Sequence, residues 1–133
     1  MSFPILVVDD DQDILELYRL ILEDAGYIVD TAICGKEAIS KALENNYNLA
    51  LLDFVLPDIK GTDIAKELYL RERINSVLFV TGYSHIFDFI EPEYKHRCKV
   101  LLKPVSGNLL IESVREAVET GDTITMEELV TPI

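Results

Sequence analysis

Basic residues are scarce in this chain: 12 Lys and Arg stand against 24 Asp and Glu, a formal net charge of −12. Holding a phosphate backbone takes clustered Lys and Arg, so the balance argues against direct nucleic-acid binding by these residues. No apolar run approaches the ~20 residues of a membrane span, and the N-terminus lacks the basic and apolar regions of a signal peptide. A cytoplasmic protein without membrane contact is the expectation. Cysteine is nearly missing. Cys34 and Cys98 offer neither a disulfide framework nor metal-ligand spacing, and read as reduced, inert side chains. Internal repeats and low-complexity linkers are missing too.

What remains is a chain of 133 residues, 49% apolar and 27% charged, long enough for one domain with a real core. Short apolar segments at 4–8, 27–32, 48–53, 76–81 and 99–103 read as strands. Most are apolar throughout rather than alternating, as strands covered on both faces should be. Helical periodicity fills the gaps. A helix from Gln12 to Asp24 offers Ile14, Leu17, Tyr18, Ile21 and Leu22, and Gly26 suits its C-terminal cap. A second over 36–46 offers Ala38, Ile39, Ala42 and Leu43, and a third over 61–72 offers Ile64, Ala65, Leu68 and Tyr69. A fourth within 84–91 is cut short by Pro92. The last, 106–119, has Ser106 as its cap and Leu110, Ile111, Val114 and Val118 as its face. Strand and helix alternating five times predict a three-layer, doubly wound α/β domain, a five-stranded parallel sheet with about five helices. The domain spans 1–120. Residues 121–133 fall outside the pattern as a tail or the start of a linker.

One stretch stands out: "ILVVDDDQDI" puts Asp9, Asp10 and Asp11 directly after four apolar residues. Burying even one carboxylate costs several kcal/mol unless positive charge meets it, so the cluster either faces water or holds a cation. In such sheets ligands bind beyond the carboxyl ends of the strands. The first strand delivers Asp9 and Asp10 there, the third Asp53, the fourth Thr81, and the fifth Lys103 followed by Pro104. Alone, each has a plain explanation, such as a helix cap or a surface lysine. Together they form a specific set.

The motifs "VVDD", "LLDFVLPDIKG", "VLFVTG" and "VLLKPV" resemble, in order and spacing over residues 4–119, the receiver domain of two-component response regulators. The resemblance implies a CheY-like, flavodoxin-like sheet of order 2-1-3-4-5. It implies Asp53 as the phosphorylated nucleophile and Mg²⁺ (or Mn²⁺) as cofactor, held by Asp10, Asp53 and the backbone carbonyl of Val55, with Asp9 acting through water. Thr81 and Lys103 would stabilise the phosphoryl group, Gly82 would leave room beside it, and a cis peptide before Pro104 is expected. Val55 and Tyr83 flank the path of the hydrolytic water in this family, and as an apolar pair they would screen an acyl phosphate. The implied partners are a sensor histidine kinase or phosphotransfer protein and a fused or separate output domain; a homodimer stays open. With Met1 just ahead of the first strand, no fused domain is expected on that side if this start is native. A module of this kind promotes only its own phosphorylation and dephosphorylation, so it is not an enzyme in the usual sense.

Two departures matter. Receivers usually carry Tyr or Phe three residues before the strand-five lysine, and here that position is Val100. The stretch "PEYKHRCKV" replaces the family's small-residue turn with Tyr94, Lys95, His96, Arg97 and Lys99, a solvated loop or else a docking patch for an acidic partner. His85 and His96 read as surface residues. The alternative function is a receiver-like interaction module that works without phosphate. An aspartate-nucleophile phosphatase would want an acid at position 55, and the aspartates would repel a flavin phosphate.

Overall fold

The apolar segments line up side by side. In the computed structural model, which describes residues 4–120, β1 (Ile5–Val8), β2 (Val29–Ala32), β3 (Tyr47–Leu52), β4 (Ile74–Thr81) and β5 (Cys98–Leu102) form one sheet in the order β2-β1-β3-β4-β5. Every pairing is parallel. Four α-helices connect and cover it: α1 (Gln12–Asp24), α2 (Gly35–Glu44), α3 (Gly61–Leu70) and α4 (Gly107–Thr120). The expected tail, 121–133, lies outside the described residues.

Most strand residues are apolar because both faces are covered. Leu6, Val8, Ala50, Leu52, Val77 and Phe79 pack with Ala38 and Ala42 of α2 and Ile64, Ala65, Leu68 and Tyr69 of α3. On the other face Ile5, Val7, Leu49, Leu51, Leu78 and Val80 meet Leu15, Tyr18 and Leu22 of α1 and Leu110 and Val114 of α4. Alternation along each strand therefore feeds two cores rather than one core and water.

Local chemistry sets the helix ends. The Asp11 side chain accepts the N–H groups of Asp13 (2.9 Å) and Ile14 (3.2 Å), capping α1. At its other end Gly26 takes φ +100°, and the bonds Gly26 N–H to Glu23 O and Tyr27 N–H to Leu22 O complete a Schellman motif. The buried stripe of α1 is Leu15, Tyr18 and Leu22, whereas Leu17 is 53% exposed. Ile14 and Ile21 pack partly buried against the same core, so of the expected face only Leu17 turns to solvent, and Leu15, about 100° around the axis from Ile14, is buried instead. Leu43 of α2 is likewise exposed. No side chain at its own start caps α2; the Asp58 carboxylate, 23 residues on, accepts from Gly35 N–H (2.8 Å) and Lys36 N–H (2.9 Å).

The segment expected to hold a fourth helix, 84–91, holds a short 3₁₀ turn instead, Ile86–Phe89, and a second 3₁₀ turn, Pro92–Arg97, follows it. Proline disfavours helical backbone in the residue before it, and Glu91 is extended at φ −66°, ψ 141°. Among the described residues, no helix is long and apolar enough to cross a membrane.

Candidate functional site

Parallel register carries the chemistry to one edge. Val8 pairs with Leu52, Leu52 with Phe79, and Thr81 with Leu102. The next residues continue the ladder: Asp53 N–H donates to Val8 O (3.0 Å), Asp9 N–H to Ala32 O (3.1 Å) and Lys103 N–H to Thr81 O (2.8 Å). Asp9, Asp53, Thr81 and Lys103 thus leave the sheet together from four strands.

Lys103 is the hub. Its Nζ lies 2.7 Å from Asp9 Oδ2 and 2.9 Å from Asp53 Oδ2. Both carboxylates are buried, and the lysine side chain keeps only 21% exposure. Asp9 Oδ1 also accepts the Asp11 N–H at 2.9 Å, and Asp53 Oδ1 the Val55 N–H at 3.2 Å. Asp10 is exposed at the rim, and one oxygen from each of Asp9, Asp10 and Asp53 lies within 4.8 Å of the others.

The charges do not balance within the protein. Three carboxylates carry −3 when ionised, and one ammonium reduces that to −2. Burial pushes the Asp9 carboxyl above the usual carboxylate range, more than the hydrogen bonds from Lys103 and the Asp11 amide pull it down. Burial alone would lower the Lys103 pKa, but its bonds to Asp9 and Asp53 and their charges outweigh this and raise it, so the ammonium stays charged. Hard oxygen donors with a residual −2 suit a small divalent cation, which takes one or two carboxylates and keeps several waters.

The remaining expected residues lie at or just beyond the same strand ends. Thr81 is 1% exposed, and its Oγ1 accepts the Tyr83 N–H at 3.3 Å. Gly82 is exposed and open, since a Cβ there would meet nothing within 4 Å. The Lys103–Pro104 peptide is cis. The Val55 side chain is 61% exposed. Tyr83 does not stand free: its ring stacks on Phe54 with centroids 5.0 Å apart and planes at 17°. His85 is exposed and His96 half-buried.

The profile of the response regulator receiver domain matches residues 5–115. The chain belongs to the response regulator receiver family. Response regulator ArlR of Staphylococcus saprophyticus is 36% identical to this receiver over 111 residues, 84% of the chain and 50% of ArlR. Response regulator SaeR of Staphylococcus aureus is 36% identical over 86 residues, 65% of the chain and 37% of SaeR. The receiver therefore spans half the length or less of these relatives. Among solved structures, a CheY-like receiver domain protein from Methanospirillum hungatei superposes with TM-score 0.79 at 33% identity, covering 90% of this chain and 95% of that one. TrrA from Thermotoga maritima, solved in complex with Mg²⁺-BeF, gives 0.76 at 32% identity over 87% and 98%.

Two contributors escaped the sequence reading. Gly61 lets α3 begin against the backbone of Asp53: a Cβ there would lie 2.2 Å from Asp53 O. Its place eight residues after Asp53, closing "LLDFVLPDIKG", was the available signal. The other is the ring pair Phe54–Tyr83, which spacing alone does not reveal. Part of the basic patch is tied down. Arg97 sits 4.1 Å over the Tyr69 ring and donates to Ile74 O and Asn75 O, Tyr94 stacks on Tyr69, and Lys99 pairs with Glu116.

Proposed function

We propose that this receiver accepts a phosphoryl group on Asp53 from the phosphohistidine of a sensor kinase or phosphotransfer protein, in a Mg²⁺-dependent (or Mn²⁺-dependent) reaction. The observation that carries this reading is the Lys103 ammonium bridging the buried Asp9 and Asp53 carboxylates, with a residual −2 beside them. In the step, an Asp53 carboxylate oxygen forms a bond to phosphorus as the phosphorus–nitrogen bond breaks, and the imidazole leaves with the electron pair. Such transfer asks for alignment and positive charge around the equatorial oxygens more than for covalent help. Mg²⁺, held by Asp10, Asp53 and the Val55 carbonyl and through water by Asp9, would supply charge there. Lys103 moves from a carboxylate oxygen to a phosphoryl oxygen, and the Thr81 hydroxyl donates to another. The space beside Gly82 admits the group, and Pro104 follows Lys103 in a cis linkage.

Phosphorylation changes the Asp53 charge from −1 to roughly −2 and biases the surface formed by the 3₁₀ turns, β5 and α4. An output domain, a separate partner or a second copy would read that surface. A reading as an interaction module without phosphate draws on the valine at position 100 and the altered stretch before β5. The deciding experiment is incubation with a small acyl-phosphate donor with and without Mg²⁺, followed by intact mass. One added phosphoryl group, requiring Mg²⁺ and absent in Asp53→Asn, supports the proposal; no incorporation, or incorporation unaffected by Asp53→Asn, rejects it.

A further inference from the structure

The loop from Phe54 to Lys60 carries the one main-chain atom assigned to the metal, the Val55 carbonyl. Its ends are fixed: Phe54 is buried, and its carbonyl accepts the Gly61 N–H at 2.9 Å. The middle is thinly held. Val55 and Pro57 are exposed, and Leu56 and Ile59 are only partly buried against the core. Among the described residues, both hydrogen bonds that join positions 55–59 to another helix or strand end on Asp58. Its Oδ1 accepts the Gly35 N–H at 2.8 Å, and its Oδ2 the Lys36 N–H at 2.9 Å. The Ile59 N–H also donates to Oδ1, at 2.9 Å, and fixes the carboxylate against its own loop.

The other side of the junction is shaped to fit. A Cβ on Gly35 would lie 2.9 Å from Ile64 Cδ1, 3.0 Å from Ile59 Cβ and 3.2 Å from Asp58 Oδ1. Helix α2 therefore starts as bare backbone pressed between the loop and α3. Cys34, at its N-cap, makes no side-chain cap bond, so the first amides of α2 have Asp58 as their acceptor. A carboxylate at that end also meets the positive pole of the helix dipole. Hydrogen bonds with one ionised partner are roughly twice as strong as neutral ones.

Resting on the reading of Asp9, Asp10, Asp53 and Val55 as a Mg²⁺ site, we propose that Asp58 is a positioning residue for that site. It staples the 54–60 loop to the start of α2 and so presents the Val55 carbonyl to the ion. Backbone that must be fixed when a ligand arrives subtracts its lost entropy from the affinity. Backbone already fixed does not. Without the staple, the middle of the loop is anchored by Leu56 and Ile59 alone, and binding has to order it. Linkage makes the coupling reciprocal. Whatever holds Val55 also holds Asp58, and through it the Gly35 and Lys36 amides, which belong to a helix that contributes no residue to the site.

The test combines calorimetric titration of the full chain with Mg²⁺, well below its unfolding range, and amide hydrogen exchange followed by NMR. Asp58→Ala should raise the Mg²⁺ Kd ~3–10-fold, less than the roughly 10–100-fold seen for groups bonded directly to a metal ligand. Asp58→Asn removes the same charge but keeps one acceptor oxygen, and should recover part of the loss. In the wild-type chain Mg²⁺ should slow exchange at Gly35 and Lys36, and Asp58→Ala should lose that response. A Kd unchanged in Asp58→Ala overturns the proposal and leaves the Mg²⁺ site standing. Equal losses in the two variants do the same, because they assign the effect to charge alone. Wild-type exchange at Gly35 and Lys36 that ignores bound Mg²⁺ also overturns it, a readout that stands even where Asp58→Ala fails to fold. A wild-type chain that binds no Mg²⁺ removes the metal-site reading, and this one with it.

Discussion

Replacing Gly61 with alanine tests how closely the start of α3 packs against the backbone of Asp53. A Cβ at 61 would lie 2.2 Å from Asp53 O and 3.0 Å from both Asp53 C and Phe54 Cα. Non-bonded carbon and oxygen settle at about 3.3 Å or more, so the start of α3 and the end of β3 must part by about 1 Å. The obstructing atoms are backbone, and no rotamer change relieves them. Overpacking of this kind costs ~1–3 kcal/mol. The Gly61 N–H to Phe54 O bond, 2.9 Å, weakens as the elements separate, adding about 1 kcal/mol. Better helix propensity returns at most ~1 kcal/mol. A net loss of about 1–3 kcal/mol should appear in urea unfolding as a lower midpoint at unchanged slope. Because the displaced peptide carries Asp53, beryllofluoride affinity should fall as well. A variant within about 0.5 kcal/mol of wild type, binding beryllofluoride normally, would refute the reasoning.

Further outcomes follow from the charges. The Asp9 pKa is raised by burial, so the folded chain holds that proton more tightly than the unfolded one, and the stability it contributes is lost as pH rises through the unfolded and then the folded pKa. In EDTA, Asp9→Asn should therefore raise the urea midpoint at neutral pH while weakening Mg²⁺ binding. Asp58 runs the opposite way: bonds from the Gly35 and Lys36 amides lower its pKa, giving stability present above the unfolded pKa and lost as pH falls through the folded one. Asp58→Ala should unfold at lower urea at pH 7, with the gap closing in acid. Replacing Val55 and Tyr83 together with serine should shorten the phosphorylated lifetime several-fold, followed as loss of phosphoryl mass; an unchanged lifetime discards the screening role.

Much of this was legible because the signals are local. Five apolar segments between periodic helices gave the layers, and α1 matched from Gln12 to Asp24 because its apolar spacing is regular and Gly26 marks its end in the sequence. The Asp9, Asp53, Thr81 and Lys103 set emerged from strand-end positions, since parallel register carries them to one edge. What stayed hidden depends on contacts distant in sequence. The buried stripe of α1 turns on its docking angle, the cap of α2 comes from Asp58, and the clearance demanded of Gly61 exists only once α3 meets β3. The 3₁₀ turn Ile86–Phe89 was read as a helix within 84–91 because periodicity does not separate 3₁₀ from α over so few residues.

Calorimetric titration of the metal-free chain with Mg²⁺ most directly tests whether three crowded carboxylates and one lysine leave room for a divalent charge. One ion per chain should bind, and Asp10→Asn combined with Asp53→Asn should abolish the binding heat. Absence of binding, or binding that survives both substitutions, would contradict it.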